Sequence, residues 1–267
     1  MCHPRLDLGS RNKKQQSSSI VWIPAQGGND SEYSSIMKFS IDEKIFQQFP
    51  GLQLGVVIAK GIDNTASPSE IQLLLREQEV NIKKTYNLET LSQEPSIDVW
   101  RKAYSSFGAK PKEHKSSVEN LHRLVLGGRE VHSINPLVDL YNYVSLKYMV
   151  PVGGEDLDTT HGDIVLAIAS DHESPALLLG DKEPRTPHAG EVIYKDDVSA
   201  ICRRWNWREA DRTKLTQSTK NAILVVEMLP PIPQEVLEQA LNELKDLIQK
   251  FCSGVSQVSI LDERNPK

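Results

Sequence analysis

The run L-Q-L-G-V-V-I-A from Leu52 to Ala59 is almost wholly apolar and predicts a buried strand. Core-type residues precede it at Phe39, Ile41, Ile45, Phe46 and Phe49. Residues 1–36, with a Gln/Ser run at 15–19 and no hydrophobic period, are expected to be a disordered extension. After Ala59 the spacing turns helical. Ser67-Pro68-Ser69-Glu70 reads as a capping box with proline at the first helical position, followed by Ile71, Leu74, Leu75 and Gln78. Ser96 opens a second helix through Val99, Trp100 and Tyr104. Ser116 to Glu119 forms another capping box, whose apolar face Leu121, Leu124 and Val125 runs to Gly127-Gly128. Asn135 caps a fourth helix with Pro136 in its first turn and Leu137, Leu140, Tyr141 and Val144 on its apolar face.

Beyond Pro151 the period shortens. Asp163–Ala169, Ala176–Leu179, Glu191–Tyr194 and Ile223–Val226 read as strands between Gly, Pro and Asp turns, while Gly153-Gly154 reads as a turn. Three prolines at 230, 231 and 233 precede a helix over 234–251 with a stripe of Leu237, Leu241, Leu244, Leu247 and Ile248, and Val255–Leu261 closes as a strand. Helices first and strands later argue for an α+β fold: a mixed sheet flanked by helices, in a single globular domain over 37–267.

Composition changes this picture little. Hydrophobic residues at 39% and charged residues at 25% fit a soluble globular chain, and no run approaches membrane-spanning length. Three scattered cysteines make neither a disulfide framework nor a zinc pattern, so the cytosol is the expected compartment. Charge does alter the reading. The net charge of −5 opposes general nucleic-acid binding, yet 101–132 holds seven Lys/Arg against three Asp/Glu and 201–220 holds six against two. Basic islands of this kind suit local contact with a polyanion, or a solvated face.

Nucleotide loops, zincin motifs and nucleophile elbows are absent, and the histidines fall at no metal-ligand spacing, so no metal or cofactor is expected. Three features remain. Trp205-Asn206-Trp207, flanked by Arg203, Arg204, Arg208 and Arg212, joins π-faces to cations as single-strand binders do; alternatively the tryptophans fill the core edge beneath surface arginines. Glu227 interrupts the apolar strand I-L-V-V-E-M-L, which places it at a wet sheet edge or inside a pocket; Glu191, after Gly190, reads as a turn cap. Asp139 and Asn142, three apart on a greasy helix, are expected to tie it to neighbouring loops.

The order of these segments resembles the B3/B4 editing domain of the bacterial phenylalanyl-tRNA synthetase beta subunit, over roughly 101–229. The likeness rests on V-D-x-x-N-Y-V at Val138–Val144, on Ser116-Ser117, and on Y-x-x-x-G-x-x-P at Tyr104, Gly108 and Pro111. It rests also on Pro151–Asp156, where the family has P-L-H-A-F-D, and on Thr219 and Glu227 in its T-x7-E element. Two departures fall in the same presumed pocket: no histidine stands at Pro151–Gly154, and Arg204–Arg208 replaces a glycine-rich loop.

The resemblance implies a B3/B4-like fold and hydrolysis of misacylated tRNA in trans, with no synthetase core. Glu227 would meet the substrate's amino group or side chain, and Asn206 the oxyanion. Trp205, Trp207, Gly153, Gly154, Glu191 and Thr219 would contact the substrate. Arg203, Arg204, Arg208 and Arg212 would hold the tRNA 3′ end. No DNA or membrane partner is expected. The alternative is a non-catalytic tRNA- or amino-acid-binding module of the same fold, which the missing histidine favours as the retained glutamate favours the enzyme.

Overall fold

In a computed structural model, which describes residues 37–267 and the backbone of Val21–Trp22, the buried run of the sequence lies at the centre of the molecule. In chain order the elements are β1 (Val21–Trp22), β2 (Met37–Ile41), α1 (Glu43–Gln48), β3 (Gln53–Lys60), α2 (Ser69–Thr85), α3 (Pro95–Ser106), α4 (Ser117–Leu126) and α5 (Pro136–Tyr148). They continue as β4 (Val152–Asp156), β5 (Ile164–Ile168), β6 (Val192–Lys195), β7 (Ala200–Arg203), β8 (Arg208–Glu209), β9 (Asn221–Met228), α6 (Gln234–Cys252) and β10 (Val255–Leu261). The fold is α+β. The remainder of the segment 1–36 lies outside the described residues.

The strands form two sheets. One is antiparallel in the order β10-β3-β9-β4; the other runs β1-β2-β5-β6-β7-β8 and is mixed because β2 and β5 are parallel. On β3, Leu54, Val56 and Ile58 face the second sheet with α1 and α3, while Val57 and Ala59 face α2, α5 and α6. Burial on both sides explains the unbroken apolar run, since neither face needs to be wet. On β9 the same alternation sends Ile223, Val225 and Glu227 into the space between the sheets, and Leu224, Val226 and Met228 under the helices.

Several expectations change. Gly153-Gly154 is not a turn but the middle of β4, paired with Val225 and Leu224. A Cβ on Gly154 would come within 3.0 Å of the Ile223 carbonyl, so the glycine permits a close strand approach. Ala176–Leu179 makes only isolated bridges, to Arg185 and Ala210. The short β7 and β8 were hidden in a charged segment.

Helix starts are partly as read. Asn135 Oδ1 accepts from the Val138 N–H (3.1 Å), and Ser116 Oγ from Glu119 N–H (3.4 Å). The capping box at Ser67 does not form: α2 begins at Ser69 after Pro68, with no side-chain cap, and the Ser67 hydroxyl donates instead to Asp139. Asp139 is fully buried and also accepts from Ser133 Oγ (2.5 Å) and from the Ile134 N–H (2.9 Å). It thus fastens α5 to the loop before α2 and to the loop that leads into α5 itself. Asp139→Ala leaves those donors unanswered in the interior, and urea unfolding is expected to show a loss of about 3 kcal/mol. A loss within error of zero would mean that the loops re-pair without it.

Candidate functional site

Where the two sheets part, opposite the start of α4, lies a cavity of about 310 Å³. Its walls come from β4 (Gly153, Gly154, Glu155), β9 (Ile223, Val225, Glu227), β6 and β7 (Tyr194, Ile201, Cys202), and the β7–β8 loop with β8 (Trp205 to Glu209). Ser117 and Asn120 of α4 and Tyr141 and Asn142 of α5 complete it. Glu155 pairs with Ile223 across the sheet, so it and Glu227 stand on one face, roughly 13 Å apart along the strand. Gly153 and Val225 form the floor between these two carboxyl stations.

At the first station Glu227 is only 3% exposed. Tyr194 Oη donates to its Oε1 (2.5 Å) and Asn206 Nδ2 to its Oε2. Asn206 Oδ1 in turn accepts from Tyr104 Oη (2.8 Å), so one amide N–H of Asn206 is uncommitted among the described residues. Burial pushes the Glu227 carboxyl up to about 7, against the opposing pull of Tyr194 and Asn206. A carboxyl of that strength, beside a cavity large enough for a small substrate, suits proton transfer near neutrality.

The second station is Glu155 with Glu209. Glu155 is 8% exposed, and its Oε2 has no hydrogen-bond partner. Burial, then the charge of Glu209, drives its carboxyl well above the ordinary range. Glu209, half-buried, is raised to about 7 by desolvation despite a hydrogen bond from Gly154 N–H. Its Oε1 stands 3.5 Å from where a side chain on Gly153 would begin, so it borders the position to which the resemblance assigns a histidine. Cys202 also lies on the wall, but burial raises its thiol, which removes it as a thiolate nucleophile at neutral pH. Among the described residues no group of three or more His, Cys, Asp and Glu is placed to hold a metal ion.

The β7–β8 loop is shaped by two consecutive left-handed residues, Arg204 (φ 47°) and Trp205 (φ 66°). Neither is glycine, so the turn carries strain that its packing must offset. Trp205 is wholly buried, edge-on to Phe49 (4.7 Å) and Trp100 (4.9 Å), and its N–H backbone group donates to Val192 (2.6 Å). Its indole nevertheless forms part of the cavity wall beside Glu227 and Tyr194, with Nε1 buried and without a hydrogen bond of ordinary geometry. Trp207 lies nearer the surface, with the guanidinium carbons of Arg204 and Arg208 at 4.6 and 4.3 Å from its ring centre.

The arginines divide. Arg203 is buried in a two-pronged pair with Glu191 (2.8 and 2.9 Å), and Arg212 grips Asp196 in the same way. Neither is presented to a polyanion. Arg208 meets Asp181 at 2.8 Å, and Arg204 makes no ion pair with a carboxylate among the described residues. Glu191 also accepts from the N–H groups of His188 and Arg204, and so fixes the loop rather than lining the cavity. Burial would raise that carboxyl, but Arg203 outweighs it and holds it below its ordinary value. Thr219 lies off the cavity too, donating to Asp156 at 2.6 Å. Asn142, expected to bind loops, instead lines the cavity with no hydrogen-bond partner among the described residues. Tyr194, Glu155 and Glu209 escaped sequence reasoning, since only strand register brings them to the site, whereas Tyr104, a helix and motif residue in the sequence, reaches it through Asn206 from α3.

A model of the B3/4 domain matches residues 99–253. The phenylalanine-tRNA ligase beta subunit of Psychrobacter arcticus is 28% identical over 162 residues, covering 57% of this chain and 20% of that protein. The corresponding subunit of Leifsonia xyli subsp. xyli is 33% identical over 110 residues, 41% of this chain and 12% of that one. The chain thus spans a fifth or less of the length of these relatives. A solved N-terminal fragment of the phenylalanyl-tRNA synthetase beta subunit from Pyrococcus horikoshii is 13% identical, with 90% of this chain and 53% of that one covered. Its TM-score of 0.41 is too low to bear on the fold.

Proposed function

From the premise that the chain belongs to the B3/4 domain family, we propose that it hydrolyses the ester of a misacylated tRNA, acting in trans. The observation that carries this reading is Glu227: a buried carboxyl raised to about 7, held by Tyr194 and Asn206, at the wall of a cavity sized for an aminoacyl group. An aminoacyl ester is already activated, so a positioned water and a stabilised oxyanion suffice. Ionised Glu227 takes a proton from water as its oxygen attacks the ester carbonyl carbon. The free N–H of Asn206 meets the developing oxyanion. Collapse breaks the bond to the ribose oxygen, which recovers the proton from Glu227, leaving amino acid and uncharged tRNA. Trp207 with Arg204 and Arg208 at the rim would hold the terminal nucleotides by stacking and charge.

The test is a panel of tRNAs charged with non-cognate amino acids, with release of the labelled amino acid followed for wild type and Glu227→Gln. We expect release from at least one member, and a fall of about a hundredfold or more in the variant, the usual contribution of a positioned general base. Release at the wild-type rate in the variant removes Glu227 from the chemistry. The second reading, a non-catalytic tRNA- or amino-acid-binding module, is favoured by the glycine at the position the resemblance gives to histidine. It is the outcome if the panel is bound and nothing is released.

A further inference from the structure

The acidic pair at the other end of the cavity has no role in the chemistry above. Glu155 and Glu209 project from different strands onto one wall, and neither forms an ion pair among the described residues. The nearest guanidinium groups are engaged: Arg212 grips Asp196, and Arg208 meets Asp181. Glu155 Oε2 is buried without a hydrogen bond of ordinary geometry, the nearby Thr213 hydroxyl being likewise unanswered, and Asn142 lines the same space with no side-chain hydrogen bond among the described residues. Buried polar atoms are almost always hydrogen-bonded, so two unanswered side chains on one cavity wall mark a place kept for an occupant. Gly153 borders the pair, a side chain there meeting Glu209 Oε1 at an ordinary 3.5 Å.

We propose that Glu155 and Glu209, with Asn142, form a subsite for an organic ammonium group of the ligand. The chemistry follows from what is missing. A carboxyl pair supplies acceptors and negative charge, and the Asn142 carbonyl a third acceptor; the complementary group carries several N–H donors and a positive charge. Desolvation raises both carboxyls in the empty cavity, and an arriving cation would ionise them. The ammonium has two possible sources in an aminoacyl group: its α-amine, or the side chain of a basic amino acid. With Glu227 some 13 Å away along the sheet, a long basic residue could span both stations. The proposal takes the cavity as an amino-acid site and so rests on the reading above, but it is tested without tRNA and without turnover.

Four small probes separate the sources: L-lysine methyl ester and its Nα-acetyl, Nε-acetyl and doubly acetylated forms, titrated calorimetrically into the full chain. We expect the doubly acetylated ester to bind at least about tenfold more weakly than the free diamine, the weight of one charge-assisted hydrogen bond. The singly acetylated probe that retains affinity identifies which amine is held. Glu209→Gln and Glu155→Gln, each verified as folded by circular dichroism, should remove most of the difference. Equal affinity for all four probes overturns the proposal, as does no detectable binding of the diamine or an unchanged preference in both variants. So does saturable binding of Mg²⁺, Ca²⁺ or Zn²⁺ alone that excludes the diamine, since the pair would then be a metal site. A protein that binds the amine yet releases nothing from any mischarged tRNA keeps the subsite and loses the deacylase.

Discussion

Trp205→Ala is expected to cost about 4 kcal/mol of stability, at the upper end for a single core truncation. The indole is fully buried and packs edge-on against Phe49 and Trp100, so its removal opens a hole that three secondary elements would have to close. The backbone makes the loss worse. Alanine is no more at ease than tryptophan at φ 66°, so the strain at Arg204 and Trp205 remains while the packing that offsets it disappears. The turn should then relax and carry Asn206 away from Glu227. Urea unfolding gives the magnitude, and Trp205→Phe, which keeps an aromatic ring in the slot, should recover much of it. A loss below about 1 kcal/mol for the alanine variant would mean that the turn is held by other contacts.

That turn also marks where the sequence stops being legible. Arg204-Trp205-Asn206-Trp207 reads as a cationic aromatic patch, because composition reports residue types and not the side on which each falls. The fold puts Trp205 inside, Trp207 near the rim and Arg203 in a buried pair with Glu191. Elements with a long period were readable: the double-sided run of β3, the Asn135 cap of α5 and the leucine stripe of α6. Of the short strands, β5 and β6 were readable, but β4, β7 and β8 were not. β4 holds two glycines and β7 ends in arginine, so propensity argues against both, and only pairing with neighbours makes them strands.

The candidate site depends on just those strands. Glu155 looks like one more acid in an acidic stretch until its register opposite Ile223 turns it into the cavity. Asp139 and Asn142 teach a related lesson. Three positions on a helix differ in direction by about 60°, enough for one side chain to fasten loops while the other opens on the cavity. Their shared flank was readable, but their separate destinations required the neighbours of α5.

The pH dependence of stability should set Glu227 apart from the arginine-paired carboxylates Glu191 and Asp196, while Glu155 and Glu209 share its sign. Its folded carboxyl sits near 7 because burial disfavours the charge, whereas in the unfolded chain it returns to about 4.5. Above 4.5 the unfolded state ionises freely while the folded state keeps its proton. Stability therefore falls as pH rises towards 7 and levels off beyond it, by about 3 kcal/mol in total for this one group. Glu191 and Asp196 have the opposite sign. Burial alone would raise them, but Arg203 and Arg212 hold them low, so their contribution is lost only in acid. His122, kept neutral by burial, also opposes the trend, since the unfolded imidazole takes up a proton below about 6.5. These terms mask Glu227 in the wild type alone, but they cancel in a difference. Urea unfolding of wild type and Glu227→Gln across about pH 4 to 8 should show the variant gaining some 3 kcal/mol relative to wild type as pH rises. A difference that stays flat would mean that the carboxyl ionises normally in the fold and has no proton to exchange near neutrality. The rise would identify a position at which the chain keeps a destabilising charge at working pH. Glutamine would then be the more stable residue there, and only a function for the carboxylate explains its absence.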